Sequence, residues 1–366
     1  MARRIAEQLN RQHPMSEDGE SDIDPDVCEA AGLAHDLGHA PFGHIGEETL
    51  DQVLRSFDRD RGGYEGNPQS FRIATRLGTS DSDPGKVDGD LGFNLTRRTL
   101  NAIFKYPWIE GEGPNPQKIP AKCGAYKCDI EAFDWVRSHS KSTARTIEAE
   151  IMDWADDITF AVHDLMDFYQ AGKIPLDAIN SSAGGSKELN AFIDSTFARN
   201  KQLDAERNRY ETALKRILEY ISFEQRFEGT RAQRETIWKN STLLITRFLT
   251  QMELHTSAGA KRLVIAQEGK DEVKMLKEFT WHYVILHHDL AMQQHGQKHM
   301  LKTVLEELLE RSREQDKWSV FPPLTRHRLS AADEKSESIG RVVVDHVASM
   351  SDLEVSTTYR HMRGRK

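Results

Sequence analysis

Only three cysteines, Cys28, Cys123 and Cys128, occur in 366 residues, too few and too unevenly spaced for a disulfide framework, so reduced thiols are expected. CGAYKC offers half of a zinc site at most, because no second Cys or His pair follows at ligand spacing. No stretch approaches the roughly 18 apolar residues that a membrane span needs. The opening MARRIAEQLNRQ is amphipathic but lacks the apolar centre of a signal peptide. An excess of basic charge is also missing: 49 Lys and Arg face 58 Asp and Glu, for a net charge of -9. That balance excludes broad electrostatic capture of nucleic acid or of an anionic membrane and leaves room only for a local basic pocket. A soluble, cytoplasmic protein is expected.

Strand-like alternation is scarce, whereas helical periodicity is abundant. RTIEAEIMDWADDITFAVHDLMDFY sets Ile147, Ile151, Ala155, Ile158, Val162 and Leu165 on one apolar stripe at steps of three and four. The segments 186–200, 209–223, 234–254 and 297–313 repeat the pattern. RLVIAQEGKDEVKML, residues 262–276, alone suggests strands, as a hairpin turning near Gly269 and Lys270. From Asp58 to Pro120 the Gly, Pro, Asp and Asn content rises, and TSDSDPGKVDGD and GEGPNPQKIP have the composition of loops. A single, mostly helical domain over 1–366 is expected: motif helices over 1–57, a loop-rich segment over 58–145 and a helical remainder over 146–366.

The densest chemistry lies in AHDLGHAPFGH, residues 34–44. Asp24 and Pro25 are suited to open a helix that runs to a stop at Gly38, leaving His35 and Asp36 in its last turn. Adjacent helical residues diverge by about 100°, so both reach one ion only at the helix end, with partners from elsewhere. Pro41 to Gly43 turn the chain into a second helix with His44 near its start and Glu47 one turn later, where the carboxylate can orient the ring. Any single histidine at a helix end is most simply structural. Three with an aspartate in eleven residues favour a metal or acid-base site, although neither the H-E-x-x-H nor the cysteine-histidine finger template applies. Mixed nitrogen and carboxylate donors suit Mn, Fe, Co or Zn, and Mg where substrate oxygens complete the shell. A further carboxylate is best supplied by the helix around residue 156, where Asp153, Asp156, Asp157, Phe160, Asp164 and Asp167 form a second stripe. Such a stripe is most simply a solvated face; Phe160 in its midst is the sign that it lines something.

EAAGLAHDLGHAPFGHIGEETL (29–50), YEGNPQSFRIATRL (64–77), GFNLTRRTLNAIFKYPW (92–108) and EAEIMDWADDITFAVHDLMDF (148–168) together resemble the HD-domain deoxynucleoside triphosphate triphosphohydrolases, the dGTPase-like proteins. GRVVVDHVASMSDLE near the C-terminus is a weaker echo, and 170–320 carries no motif of its own. The resemblance implies a mainly α HD-domain fold and hydrolysis of a dNTP to deoxynucleoside and triphosphate. It implies a divalent metal, Mg or Mn above all, held by His35, Asp36 and Asp156. It further implies an acid-base role for His44 held by Glu47, an active-site place for His39, and a sugar pocket with Phe160 against the deoxyribose and Asp164 at its 3'-hydroxyl. Arg72, Arg76 and Lys105 fall inside matching motifs as anion contacts. Such proteins commonly form homo-oligomers, and single-stranded DNA is a further partner class.

One departure stands out: the family's upstream metal-binding histidine, and an arginine that accompanies it, have no counterpart before RRIAEQLNRQ, and His13 does not replace it by match. Two expectations follow. Either the sequence is a piece of an active enzyme, or the short chain is a weakened metal binder acting as a nucleotide- or single-stranded-DNA-binding regulatory subunit. A third reading keeps the metal site but assigns another phosphate ester, such as a nucleoside monophosphate.

Overall fold

The computed structural model describes residues 1–12, 23–57, 62–79, 92–115, 122–138, 144–180, 185–257, 260–332 and 337–364. His13 and most of the two loops at 79–90 and 111–120 lie outside the described residues. In chain order the helices are α1 (Ala2–Gln12), α2 (Pro25–Ala34), α3 (His44–Phe57), α4 (Gly66–Arg72, running into a π turn at Ile73–Leu77), α5 (Arg97–Ala102), α6 (Ile130–Arg137), α7 (Ile147–Gln170), α8 (Leu176–Asn180), α9 (Gly185–Arg199), α10 (Lys201–Asp204), α11 (Arg207–Tyr220) and α12 (Arg231–Leu249). After the strands β1 (Met252–Ser257) and β2 (Ala260–Ile265) come α13 (Gln267–Thr280), α14 (His288–Ser312), α15 (Pro323–Ala331), α16 (Ile339–Ala348) and α17 (Asp352–Met362). The fold is mainly α, as the periodicity implied.

The hairpin is real but displaced. β1 and β2 pair antiparallel with Met252 opposite Ile265 and Leu254 opposite Leu263, so RLVI supplies the second strand, not the first. Gly269 and Lys270, expected at the turn, lie inside α13. QMEL, expected to prolong the preceding helix, leaves it after Leu249 and contributes Met252 to Leu254 to β1. Short apolar runs do not separate strand from helix by period alone, and cross-strand pairing decided between them.

The chain divides into two compact units, each discontinuous in sequence. The first joins 1–25 to 150–291. There the apolar face of α1 is buried through Ile5, Ala6 and Leu9, and Gln8 Nε2 donates to the Leu249 carbonyl at 2.8 Å. On α7, Ile151, Ala155, Ile158, Val162 and Leu165 are buried, as the stripe predicts. The second unit joins 26–149 to 292–366. One of its cores packs Leu50 and Leu54 of α3 with Leu301, Leu305 and Leu308 of α14 and Val343 and Val347 of α16. Another gathers Phe71, Phe104 and Phe133 with Leu100 and Ile109. The phenylalanine rings stack at tilted angles, 4.8 Å and 5.2 Å between centroids.

The second core fixes α4, and α4 fixes the histidine loop. Ser70 Oγ donates to the His35 carbonyl at 2.6 Å and accepts the Gly38 amide at 2.9 Å, while the buried Tyr64 hydroxyl donates to the Gly38 carbonyl at 2.7 Å. Gly38 therefore does not serve as the expected helix stop, since α2 ends four residues earlier, at Ala34. Its job is close approach: a Cβ there would stand 2.2 Å from the Gly66 carbonyl oxygen and 2.3 Å from the Ser70 nitrogen, which no L side chain tolerates.

Candidate active site

His35 and Asp36 emerge just past the end of α2, where the His35 amide still bonds the Ala31 carbonyl at 3.0 Å. His39 follows in the turn, its amide on the Asp36 carbonyl at 3.1 Å. Phe42 and Gly43 adopt positive φ, 66° and 61°, which reverses the chain into α3 with His44 as its first residue. The Phe42 amide is held at 2.8 Å by the Asp352 carboxylate from the start of α17.

Two contacts define what His35 can do. His35 Nδ1 lies 2.9 Å from the Gly32 carbonyl oxygen, which can only accept, so Nδ1 carries a proton and Nε2 is the nitrogen that holds the lone pair whenever the ring is neutral. That Nε2 faces Asp36 Oδ2 at 3.1 Å. A lone pair and a carboxylate oxygen at this range repel unless a positive particle, a proton or a metal ion, is shared by them. A ring tied to a carbonyl through its other nitrogen is also the usual support of a metal-ligating histidine. His35 and Asp36 thus fit a divalent ion by donor type, tautomer and separation.

His39 differs. Its Nε2 meets Asp36 Oδ1 at 3.1 Å and its Nδ1 meets Glu47 Oε1 at 2.5 Å, so the ring bridges two carboxylates. The hydrogen bond to Asp36, then that to Glu47, push His39 up to about 10 against the cost of partial burial. Burial raises Glu47, but His39 and then His44 overcome it and hold the carboxyl down at about 2. Asp36, likewise raised by burial, is pulled well below the carboxylate range by His35 and His39. The expected pairing of Glu47 with His44 is present but looser, Oε2 to Nδ1 at 3.6 Å. The His44 side chain is 86% exposed, open to a substrate; its ring stands edge-on to His39 at 5.8 Å.

On α7, Asp156, Phe160 and Asp164 follow at steps of four and share a side of the helix. Phe160 is 49% exposed although it sits beside buried Ala161 and Val162. Lys277 of α13, which no sequence motif flagged, reaches it. Its Nζ bonds Asp157 Oδ1 at 2.5 Å and lies 5.7 Å from the centroid of the Phe160 ring. Asp164 is pushed up to about 6 by burial and by Asp167, against the opposing charges of His163 and Lys277.

The HD-domain model matches residues 1–77, and the phosphohydrolase-associated domain model matches residues 263–361. The deoxyguanosinetriphosphate triphosphohydrolase-like protein of Streptomyces coelicolor is 33% identical to the chain, over 93% of it and 78% of that protein. Its namesake in Corynebacterium glutamicum strain R is 31% identical over the same shares. The chain belongs to the deoxyguanosinetriphosphate triphosphohydrolase-like family of HD-domain phosphohydrolases.

Within this HD phosphohydrolase, one anticipated contact is corrected. Arg72, expected to meet phosphate, is fully buried. Its guanidinium is held by Asp129 at 2.6 Å, by Asp345 of α16 at 2.9 Å and by Glu337. With its donors committed to three carboxylates and no path to solvent, it is a structural cation. Arg76 belongs to the same cluster, 3.4 Å from Glu337 and 3.9 Å from Asp129. Lys105 stands half-buried in the turn after α5. The partners of Arg72 were missed, although a lone aspartate inside the apolar run RVVVDHV was a signal, since a carboxylate buried on a helix face needs a cation.

The His39 bridge makes the metal-free HD phosphohydrolase sensitive to pH in a defined sense. His39 is raised from 6.5 to about 10, so its contribution to stability is complete below pH 6.5 and is lost as pH rises through 10. Glu47 is lowered from 4.5 to about 2, so its contribution is complete above pH 4.5 and is lost as pH falls through 2. NMR titration of the metal-free protein should find His39 still protonated at about pH 8. Asp36→Asn should lower its midpoint more than Glu47→Gln. A wild-type midpoint near the ordinary histidine value would contradict the bridge.

Proposed function

We propose that the protein is a metal-dependent deoxynucleoside triphosphate triphosphohydrolase, splitting dGTP or another dNTP into a deoxynucleoside and inorganic triphosphate. The observation that carries the reading is the His35 ring, with Nδ1 tied to the Gly32 carbonyl and Nε2 set against Asp36. Family membership supports the substrate class, since the relatives are named deoxyguanosinetriphosphate triphosphohydrolase-like proteins.

In this reading His35 and Asp36, with Asp156 from α7, hold a divalent metal, Mg or Mn before Fe, Co or Zn. When bound, such an ion neutralises phosphate charge and acidifies a water at the α-phosphorus. His44, oriented by Glu47, gives its proton to the 5'-oxygen as the bond from that oxygen to the α-phosphorus breaks and a water oxygen takes its place, and the proton shed by that water restores His44. His39, held cationic by Asp36 and Glu47, adds positive charge beside the phosphates. Lys105 adds another. Phe160 offers its open ring face to the deoxyribose, and Asp164 accepts a hydrogen bond from the 3'-hydroxyl. The regulatory-subunit reading is not favoured, because it leaves the paired His35 and Asp36 and the bridged His39 without a task.

The test is direct. The purified chain with Mn or Mg and each dNTP in turn should release deoxynucleoside and triphosphate in equal amounts, resolved by ion-exchange chromatography. Pyrophosphate with a deoxynucleoside monophosphate would overturn the reaction type, and no release from any dNTP would overturn the proposal.

A further inference from the structure

His287, His288 and Asp289 occupy the turn into α14, outside every motif used above. His287 Nδ1 lies 3.4 Å from Asp289 Oδ2, and His288 Nε2 lies 3.0 Å from Asp289 Oδ1, so each carboxylate oxygen faces one imidazole nitrogen. The two rings are 4.6 Å apart and inclined by 31°. One donor atom from each of the three residues falls within 4.8 Å of the others. The Asp289 amide donates to His287 Nδ1 at 3.4 Å, so that nitrogen acts as an acceptor, held only by a long hydrogen bond that an incoming ion would replace. Two ring nitrogens and two carboxylate oxygens thus converge within one short segment.

We propose that His287, His288 and Asp289 form a second metal site, selective for a borderline transition ion such as zinc, nickel or cobalt. Two imidazoles and one carboxylate match those ions, whereas magnesium and calcium prefer sets of oxygens. The side chains are between two-fifths and four-fifths exposed, so water completes the shell and metal exchanges freely with solvent. The positive end of α14 opposes a cation here. Asp289, in the first turn of that helix, offsets it with a full negative charge.

Zinc is the probe. The full chain, dialysed against zinc in saturating magnesium and analysed for bound metal, should hold one zinc equivalent more than the double variant His287→Ala/His288→Ala. The same difference should persist in a His35→Ala background, which separates this site from the HD pair. Asp289→Asn keeps both rings and should weaken the affinity by about tenfold or more. Cobalt in place of zinc should give a visible d–d band that the double variant lacks. Because all three side chains are open to solvent, the variants should unfold at the wild-type temperature without zinc. Equal zinc equivalents at equal affinity in wild type and double variant would overturn the proposal.

Discussion

Asp36→Asn should lower dNTP hydrolysis by more than about 100-fold, since loss of a supporting group alone costs a metal site 10- to 100-fold and this residue is itself proposed as a ligand. The substitution is nearly isosteric, so shape is kept and charge is removed. Asp36 faces His35 through one oxygen and His39 through the other, both at 3.1 Å. The amide leaves each ring without its anion and removes one of the two carboxylates that keep His39 protonated. The defect should appear in kcat at saturating dNTP and be relieved in part by raised manganese, because the weakened ion is recovered by mass action. The Asp36 side chain is 53% exposed, so the thermal midpoint should stay close to wild type. A variant retaining more than about a tenth of wild-type kcat would remove Asp36 from the metal set.

Arg72→Met should destabilise the second unit by about 3–5 kcal/mol, the cost of breaking a buried ion network by removal of one partner. Burial opposes the charge on Arg72, and the attraction of Asp345 and then Asp129 more than compensates. Asp345 is pulled the opposite way, lowered by Arg72, Arg328 and Arg341 despite its own burial. Remove the guanidinium and Asp129, Glu337 and Asp345 crowd together. Arg328, 2.6 Å from Asp345 and 3.1 Å from Glu337, compensates only in part. Adding Asp345→Leu to Arg72→Met should recover part of the loss, because it removes one of the three carboxylates left crowded without their cation. Denaturant midpoints of the two variants measure this. A loss below about 1 kcal/mol for Arg72→Met would show that the network is peripheral to stability.

The α7 stripe, the helix over His44 to Phe57 and the crowded histidine motif were legible because each is local. A period of 3.6 residues or a spacing of three or four fixes which side chains share a face, wherever the helix ends up. The β1–β2 pair was legible only as a tendency. RLVI is apolar enough for a strand, but its partner MELHTS lies upstream, and pairing rather than pattern set the register. Gly38 was assigned to the wrong cause for a related reason: a glycine near a helix end suggests a stop, and nothing adjacent reveals that residues 66 and 70 press against it.

By itself the sequence determined the helical class, the HD cluster and the family, since periodicity and motif spacing are properties of neighbouring residues. Tertiary structure decided that His35 turns Nδ1 to the Gly32 carbonyl and Nε2 to Asp36, that Glu47 grips His39 more tightly than His44, and that Arg72 is committed to carboxylates. The last pairing spans 273 positions of the chain. A charge carries no local mark of the partner it will meet: burial demands one, and only the packed fold names it.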